Sequence, residues 1–127
     1  MPIQAWTITV RDHLPTAANR RERQHWSIRQ KEKTLWRDLI GYQGGNRIPR
    51  ATPHTRRRVT ITLHKGPRGK HDDPGNLPYR AKAILDALVD LQILWDDDRD
   101  HLTLDPITEH LPTPDTATRI TITEDPA

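Results

Sequence analysis

The 127-residue chain contains no cysteine and no phenylalanine. Without cysteine, neither a disulfide nor a thiolate metal site can form, and the composition suits a reducing compartment. Without phenylalanine, and with hydrophobic residues at only 33%, the core must be small and helped by the four tryptophans. Oligomerisation is a natural way for such a chain to bury more surface. No stretch approaches the roughly 18 apolar residues that a membrane span requires, so no membrane partner is expected. The opening "MPIQAWTITV" has neither a charged lead nor an apolar run, so no signal peptide is expected. "GYQGG" and "GPRG" match neither nucleotide-binding fingerprint, which leaves no basis for a nucleotide cofactor. A Gly-x-Ser-x-Gly nucleophile elbow is also missing. The seven histidines show no ligand spacing; His71 and His101 merely stand beside acidic clusters.

Charge is abundant and unevenly divided. Residues 1–70 hold 16 Lys/Arg against 4 Asp/Glu, and residues 71–127 hold 4 against 13, so the parts carry +12 and −9. A basic field of that size favours a polyanionic partner through counterion release. The candidate phosphate contacts are Arg20, Arg21, Arg23, Arg29, Lys33, Arg37, Arg57, Arg68 and Lys70.

The length suits one domain spanning 1–127. "AWTITV" (5–10) alternates as a strand. Residues 11–25, with Pro15, form a basic loop expected to be mobile, as does the Gly/Pro-rich connection 41–55. Ser27 and Gln30 have capping-box spacing, and Ile28, Leu35, Trp36 and Leu39 then share one helical face. Arg29, Lys33 and Arg37 form a basic stripe on another. "RRVTITLHK" (57–65) turns Val59, Ile61 and Leu63 inward. Residues 77–91 predict a second helix with Ala81, Ile84, Leu85, Leu88 and Leu91 on its apolar face. A strand or turn pair near 101–111 and a last strand at 117–124 follow. This order implies an α+β fold, a mixed sheet with two main helices packed on one side.

Acidic clusters flank the second helix: Asp72 and Asp73 before it, Asp96, Asp97 and Asp98 after it. The helix would run about 22 Å, and the return from Gln92 to Asp97 spans roughly 20 Å when extended. The second cluster can therefore return beside the first. Converging carboxylates repel unless one is protonated or a cation joins them. Oxygen ligands favour Mg²⁺, with Mn²⁺ as a substitute. Beside so many cations, such a site suits phosphodiester hydrolysis, with a metal-activated water as nucleophile. Lys82, four residues before Asp86 on the same face, can stabilise charge on a phosphate. The plainer alternative is that Asp72, Asp73 and Asn76 serve the helix N-terminus while Asp96–Asp98 form an exposed turn.

The pattern "DPGNLPYRAKAILDAL…ILWDDD" resembles the RusA-like Holliday junction resolvases, small endonucleases of bacteria and their phages. Asp73 and Asn76 take the ends of the family's Asp-x-Asp-Asn. Lys82 takes its lysine, Asp86-Ala87-Leu88 its Asp-Ala-Leu, and Asp96 and Asp97 its closing pair, with Asp97 the better match to the catalytic acid. Pro15, Asn19, Arg20 and the closing "RITITE" are similar to its ends. The resemblance implies a homodimer that cuts four-way DNA junctions in pairs with Mg²⁺, in the cytoplasm of a bacterium or phage-infected cell. Asp73 and Asp97 would be metal ligands, with Asn76, Asp86 and Asp96 supporting. Gly75 stands where the family carries a second acid. Asp72, the extra acid just upstream, is the candidate to supply that oxygen as a third ligand; the alternative is a chain that binds branched DNA without cutting.

Overall fold

The fold follows from three alternating strands that share one apolar phase. A computed structural model describes residues 4–16 and 26–125. In chain order come β1 (Ala5–Arg11), α1 (Trp26–Tyr42), a 3₁₀ turn (Gly45–Arg47) and β2 (Arg57–Lys65). A second 3₁₀ turn (Leu77–Ala81), α2 (Lys82–Asp90), β3 (Leu102–Leu104), β4 (Thr108–His110) and β5 (Thr116–Glu124) complete it. β5 lies between β1 and β2, antiparallel to both. β3 and β4 pair in succession, parallel, along the other side of β2. The result is a mixed five-stranded sheet in a small α+β domain.

Ile8, Val10, Val59, Ile61, Leu63, Ile120 and Ile122 point to one face and are buried, as period-2 alternation requires. Trp36 and Ile40 of α1 and Ile84 and Leu88 of α2 close over that face in a single cluster. With no Phe available, Trp36 is the largest side chain fully inside. No helix among the described residues is long and apolar enough to cross a membrane.

Both helices differ in detail from expectation. Leu35 is exposed, and Ile40 takes its place beside Trp36. Residues four apart stack on one face, and the Trp36–Ile40 pair is the one that meets the sheet. The helix begins at Trp26, so Ser27 lies inside its first turn; the side chains of Ile28 and Arg29 fall outside the described set. The segment 77–91 is also not one helix. Pro78 sits in its opening turn, which is 3₁₀, and the α-helical part is nine residues long. Asn76 makes no side-chain cap there.

The end of α2 is sharply defined. Gln92 adopts φ 59°, and its N–H donates to the Val89 carbonyl at 3.0 Å while Ile93 N–H donates to Leu88 at 2.9 Å. This is a Schellman closure, with buried Ile93 as its hydrophobic contact. It turns the chain back at once and delivers residues 95–98 to the surface. The Gln92 carbonyl also accepts the Ala51 N–H at 2.7 Å. That bond and the buried Ile48 and Ala51 anchor the 41–55 connection to the core.

Candidate metal and phosphate site

Lys82 opens α2 and is the hinge of the site. Its ammonium lies 3.2 Å from Asp86 Oδ1, one turn along the helix, and 3.7 Å from Asp97 Oδ2 on the returning loop. The Schellman turn thus brings the second acidic cluster back to the first turn of the helix. Lys82 is 63% exposed and Asp97 41%, so both face solvent. Asp96, also exposed, accepts the Asp97 N–H at 2.8 Å. Asp98 accepts from His101 Nδ1 at 2.6 Å, while His101 Nε2 meets the Pro53 carbonyl at 2.9 Å. Two acceptors flank one ring, and the hydrogen bond to Asp98, above all, raises the His101 pKa.

Asp73 is exposed on the turn before the 3₁₀ segment. Its carbonyl accepts the N–H groups of Asn76 and Leu77 at 2.8 and 3.2 Å, which holds the turn and leaves the carboxylate for solvent. Asn76 contributes through its backbone. Among the described residues, no group of three or more His, Asp or Glu side chains is gathered as a ready cation cage.

Asp72 does something different from what its position suggests. Both its oxygens are committed. Arg80 donates from Nε at 2.5 Å and from Nη2 at 2.9 Å, and Lys65 Nζ lies 2.7 Å away. The Arg80 hydrogen bonds, more than the lysine, lower the Asp72 pKa to about 2. Both Asp72 oxygens are thus held by Arg80 and Lys65, and Asp72 clamps the loop that carries Asp73. Glu109 on β4 completes the cluster. It pairs with Lys65 and accepts the Asp72 N–H at 3.0 Å. Burial pushes Glu109 upward, but Lys65 and that N–H prevail and hold its carboxyl below its ordinary value. Arg80 also donates to the Pro15 carbonyl at 2.6 Å, joining the same clamp to the loop after β1.

The loop 66–70 folds tightly over this cluster because it contains glycine. A Cβ on Gly69 would lie 2.6 Å from the Lys65 carbonyl oxygen, so no larger residue fits. Lys65 Nζ reaches the Lys70 carbonyl at 2.7 Å. Arg68 and the Lys70 side chain are left exposed beside the Asp73 turn.

The remaining basic candidates divide. Arg20, Arg21 and Arg23 lie outside the described residues. Lys33 and Arg37 turn to Asp90 at 3.8 and 3.5 Å and tie α1 to α2. Arg57 is not a phosphate contact: it is 2% exposed. It donates to the Ile93 carbonyl at 2.8 Å, pairs with Glu124 at 3.2 Å and stacks 5.1 Å above the Trp6 ring. Its place is explained by phase, since Arg57 and Lys65 share the inward register of Val59, Ile61 and Leu63. That phase was the available signal for Lys65 as well; nothing comparable marks Arg80 or Glu109 in the sequence.

Compared with known proteins, the chain matches no family model, and it has no significant match among curated proteins.

Proposed function

We propose that the chain is a metal-dependent endonuclease acting on branched DNA, working as a pair of identical copies. The observation that carries this reading is the convergence of Lys82, Asp86 and Asp97 at an exposed surface, at the start of the helix into which the Asp73 turn leads. A pure carboxylate donor set suits Mg²⁺, which is commonly held by one or two carboxylates while keeping several waters and taking phosphate oxygens. Two exposed acids fit that habit better than they fit a closed protein cage. Asp73 and Asp97 would hold the ion.

When bound, the ion would supply an activated water and neutralise charge growing on the phosphate oxygens. The chain's own groups do the rest. Asp86 orients Lys82 from one helical turn away. The Lys82 ammonium presents positive charge to a non-bridging phosphate oxygen, where that charge counts most in the transition state. Asp72, Lys65, Arg80 and Glu109 keep the Asp73 turn in place. Arg68 and Lys70 meet flanking phosphates without reading sequence. The resemblance of residues 73–97 to the RusA-like pattern supports four-way junctions as the substrate. A twofold pair would set one site on each of two symmetric strands.

Gly75 favours a second reading, in which the chain binds junctions without cutting them. Incubating a synthetic four-way junction with the protein in Mg²⁺ or Mn²⁺ separates the two. Paired nicks that vanish in EDTA and in Asp97→Asn support the nuclease. Tight binding with no nick in either metal supports the second reading instead.

A further inference from the structure

The sheet has a second face that neither helix covers. On β1, β2 and β5 its outward phase contains no apolar side chain larger than alanine. Register aligns Thr9, Arg119, Thr62 and Thr108 in one row across four strands. The next row holds Arg11, Ala117, His64 and His110, with the two imidazoles stacked at a centroid distance of 5.2 Å. Arg11 and Arg119 are exposed and diagonal neighbours, so their Cα atoms lie about 7–8 Å apart. Neither makes an ion pair among the described residues. One row on, Thr60 donates to Asp105 at 2.7 Å, and Asp105 is also paired with Arg58 at 2.9 Å; Asp12 and Asp115 are exposed at the edge of the face and make no ion pair among the described residues. The local field is positive enough to be felt by a neighbour: after burial, Arg119 is the next cause of the lowered His64 pKa.

We infer that this open face is a second nucleic-acid surface, which grips the phosphate backbone of duplex DNA through Arg11 and Arg119 with threonine hydroxyls beside them. The chemistry selects this occupant. A second copy stacked face to face would set guanidinium against guanidinium and bury hydroxyls for almost no apolar area. A lipid surface would need large apolar side chains to insert, and on β1, β2 and β5 the face offers none larger than alanine. Unpaired bases stack best on tryptophan or tyrosine, which the face lacks, and its two imidazoles are already stacked on each other. Flat rows of hydroxyls and arginines instead match backbone contact without base readout. The face lies on the side of the sheet away from α2, so it adds a contact to the acid site rather than extending it. The inference rests on the nucleic-acid part of the proposed function and is independent of cleavage.

The test is binding of duplex and four-way junction to wild type and to the double variant Arg11→Gln/Arg119→Gln. Fluorescence anisotropy in Ca²⁺, from about 50 to 200 mM salt, gives the affinity and its salt slope. Both residues are exposed, so the thermal melt should be unchanged and serves as the folding control. The expected result is an affinity loss of about tenfold or more at the lower salt, with a log–log slope shallower by about 2. Equal affinity and slope in the double variant would overturn the inference, as would failure of the wild type to bind duplex. A change confined to self-association by sedimentation would overturn it too, assigning the face to a second copy. Normal binding with no cleavage would count against the nuclease reading alone.

Discussion

Arg80 grips both carboxylate oxygens of Asp72, donating from Nε at 2.5 Å and from Nη2 at 2.9 Å. The pair joins the first acidic cluster to the turn that starts the helix, and through Pro15 to the loop after β1. The acids at residues 72 and 73 are neighbours in sequence with opposite tasks. One is spent on structure and the other is left for solvent.

The clamp makes a pH prediction. The Asp72 pKa falls from 3.8 to about 2 on folding. Its contribution is therefore complete above about pH 4 and lost as pH falls through about 2, since a depressed acid stabilises its ionised form. The size is on the order of 2 kcal/mol. Urea unfolding should show Asp72→Asn destabilised by that order at pH 7, with a flatter stability curve between pH 4 and 2 than wild type. An Asn variant as stable as wild type at pH 7 would mean the clamp is idle.

Lys82 should behave as a charge for chemistry rather than for stability. Its ion pairs are exposed, and such pairs contribute roughly 0–1 kcal/mol. Lys82→Ala is expected to lower kcat for junction cleavage by about 100-fold or more, with little change in melting temperature or DNA affinity. A parallel loss of binding would make it a simple phosphate contact.

Arg57→Leu tests the reassignment of a basic residue to the interior. Removing it strips a buried carbonyl and Glu124 of their donor, at a cost of about 3 kcal/mol. Chemical denaturation should report that loss. DNA affinity per folded molecule should be unchanged, and a selective affinity loss in a stable variant would return Arg57 to the binding surface.

His101 bridges Asp98 and the Pro53 carbonyl, an arrangement that suits a doubly protonated ring. Its raised pKa means that the bridge is fully present below the ordinary histidine value of 6.5 and is lost as pH rises through the folded value. Ring titration by NMR should give a pKa above that of an exposed histidine. Amides of residues 98–102 should then exchange faster at high pH than the intrinsic rate increase explains. An ordinary titration would remove the bridge from the account.

Much of the fold was legible because period-2 alternation is a direct imprint of a one-sided sheet. Val59, Ile61 and Leu63, and the apolar face of α2, needed nothing beyond spacing. Spacing alone does not choose the buried face of α1, because Leu35 and Ile40 are equally apolar and only the docking angle on the sheet decides between them. The helix expected at 77–91 is shortened because its opening turn, which holds Pro78, is 3₁₀. In the site, Lys82 with Asp86 was visible as an i, i+4 pair; chain length predicted a return of Asp97 toward Asp72 and Asp73, and the contact the structure gives it is with Lys82. The role of Asp72 was not visible. Its partners Lys65, Arg80 and Glu109 come from β2, the 3₁₀ turn and β4, and only tertiary packing brings them together.

The central claim is that Asp73 and Asp97 share one hard cation. Mn²⁺ titration followed by paramagnetic broadening of amide signals tests it most directly. The account predicts that signals around Asp73 and Asp97 broaden at the same Mn²⁺ concentration, that Mg²⁺ reverses this, and that Asp97→Asn abolishes it at both places. Broadening at Asp73 that persists in Asp97→Asn, or that never occurs, would contradict the account.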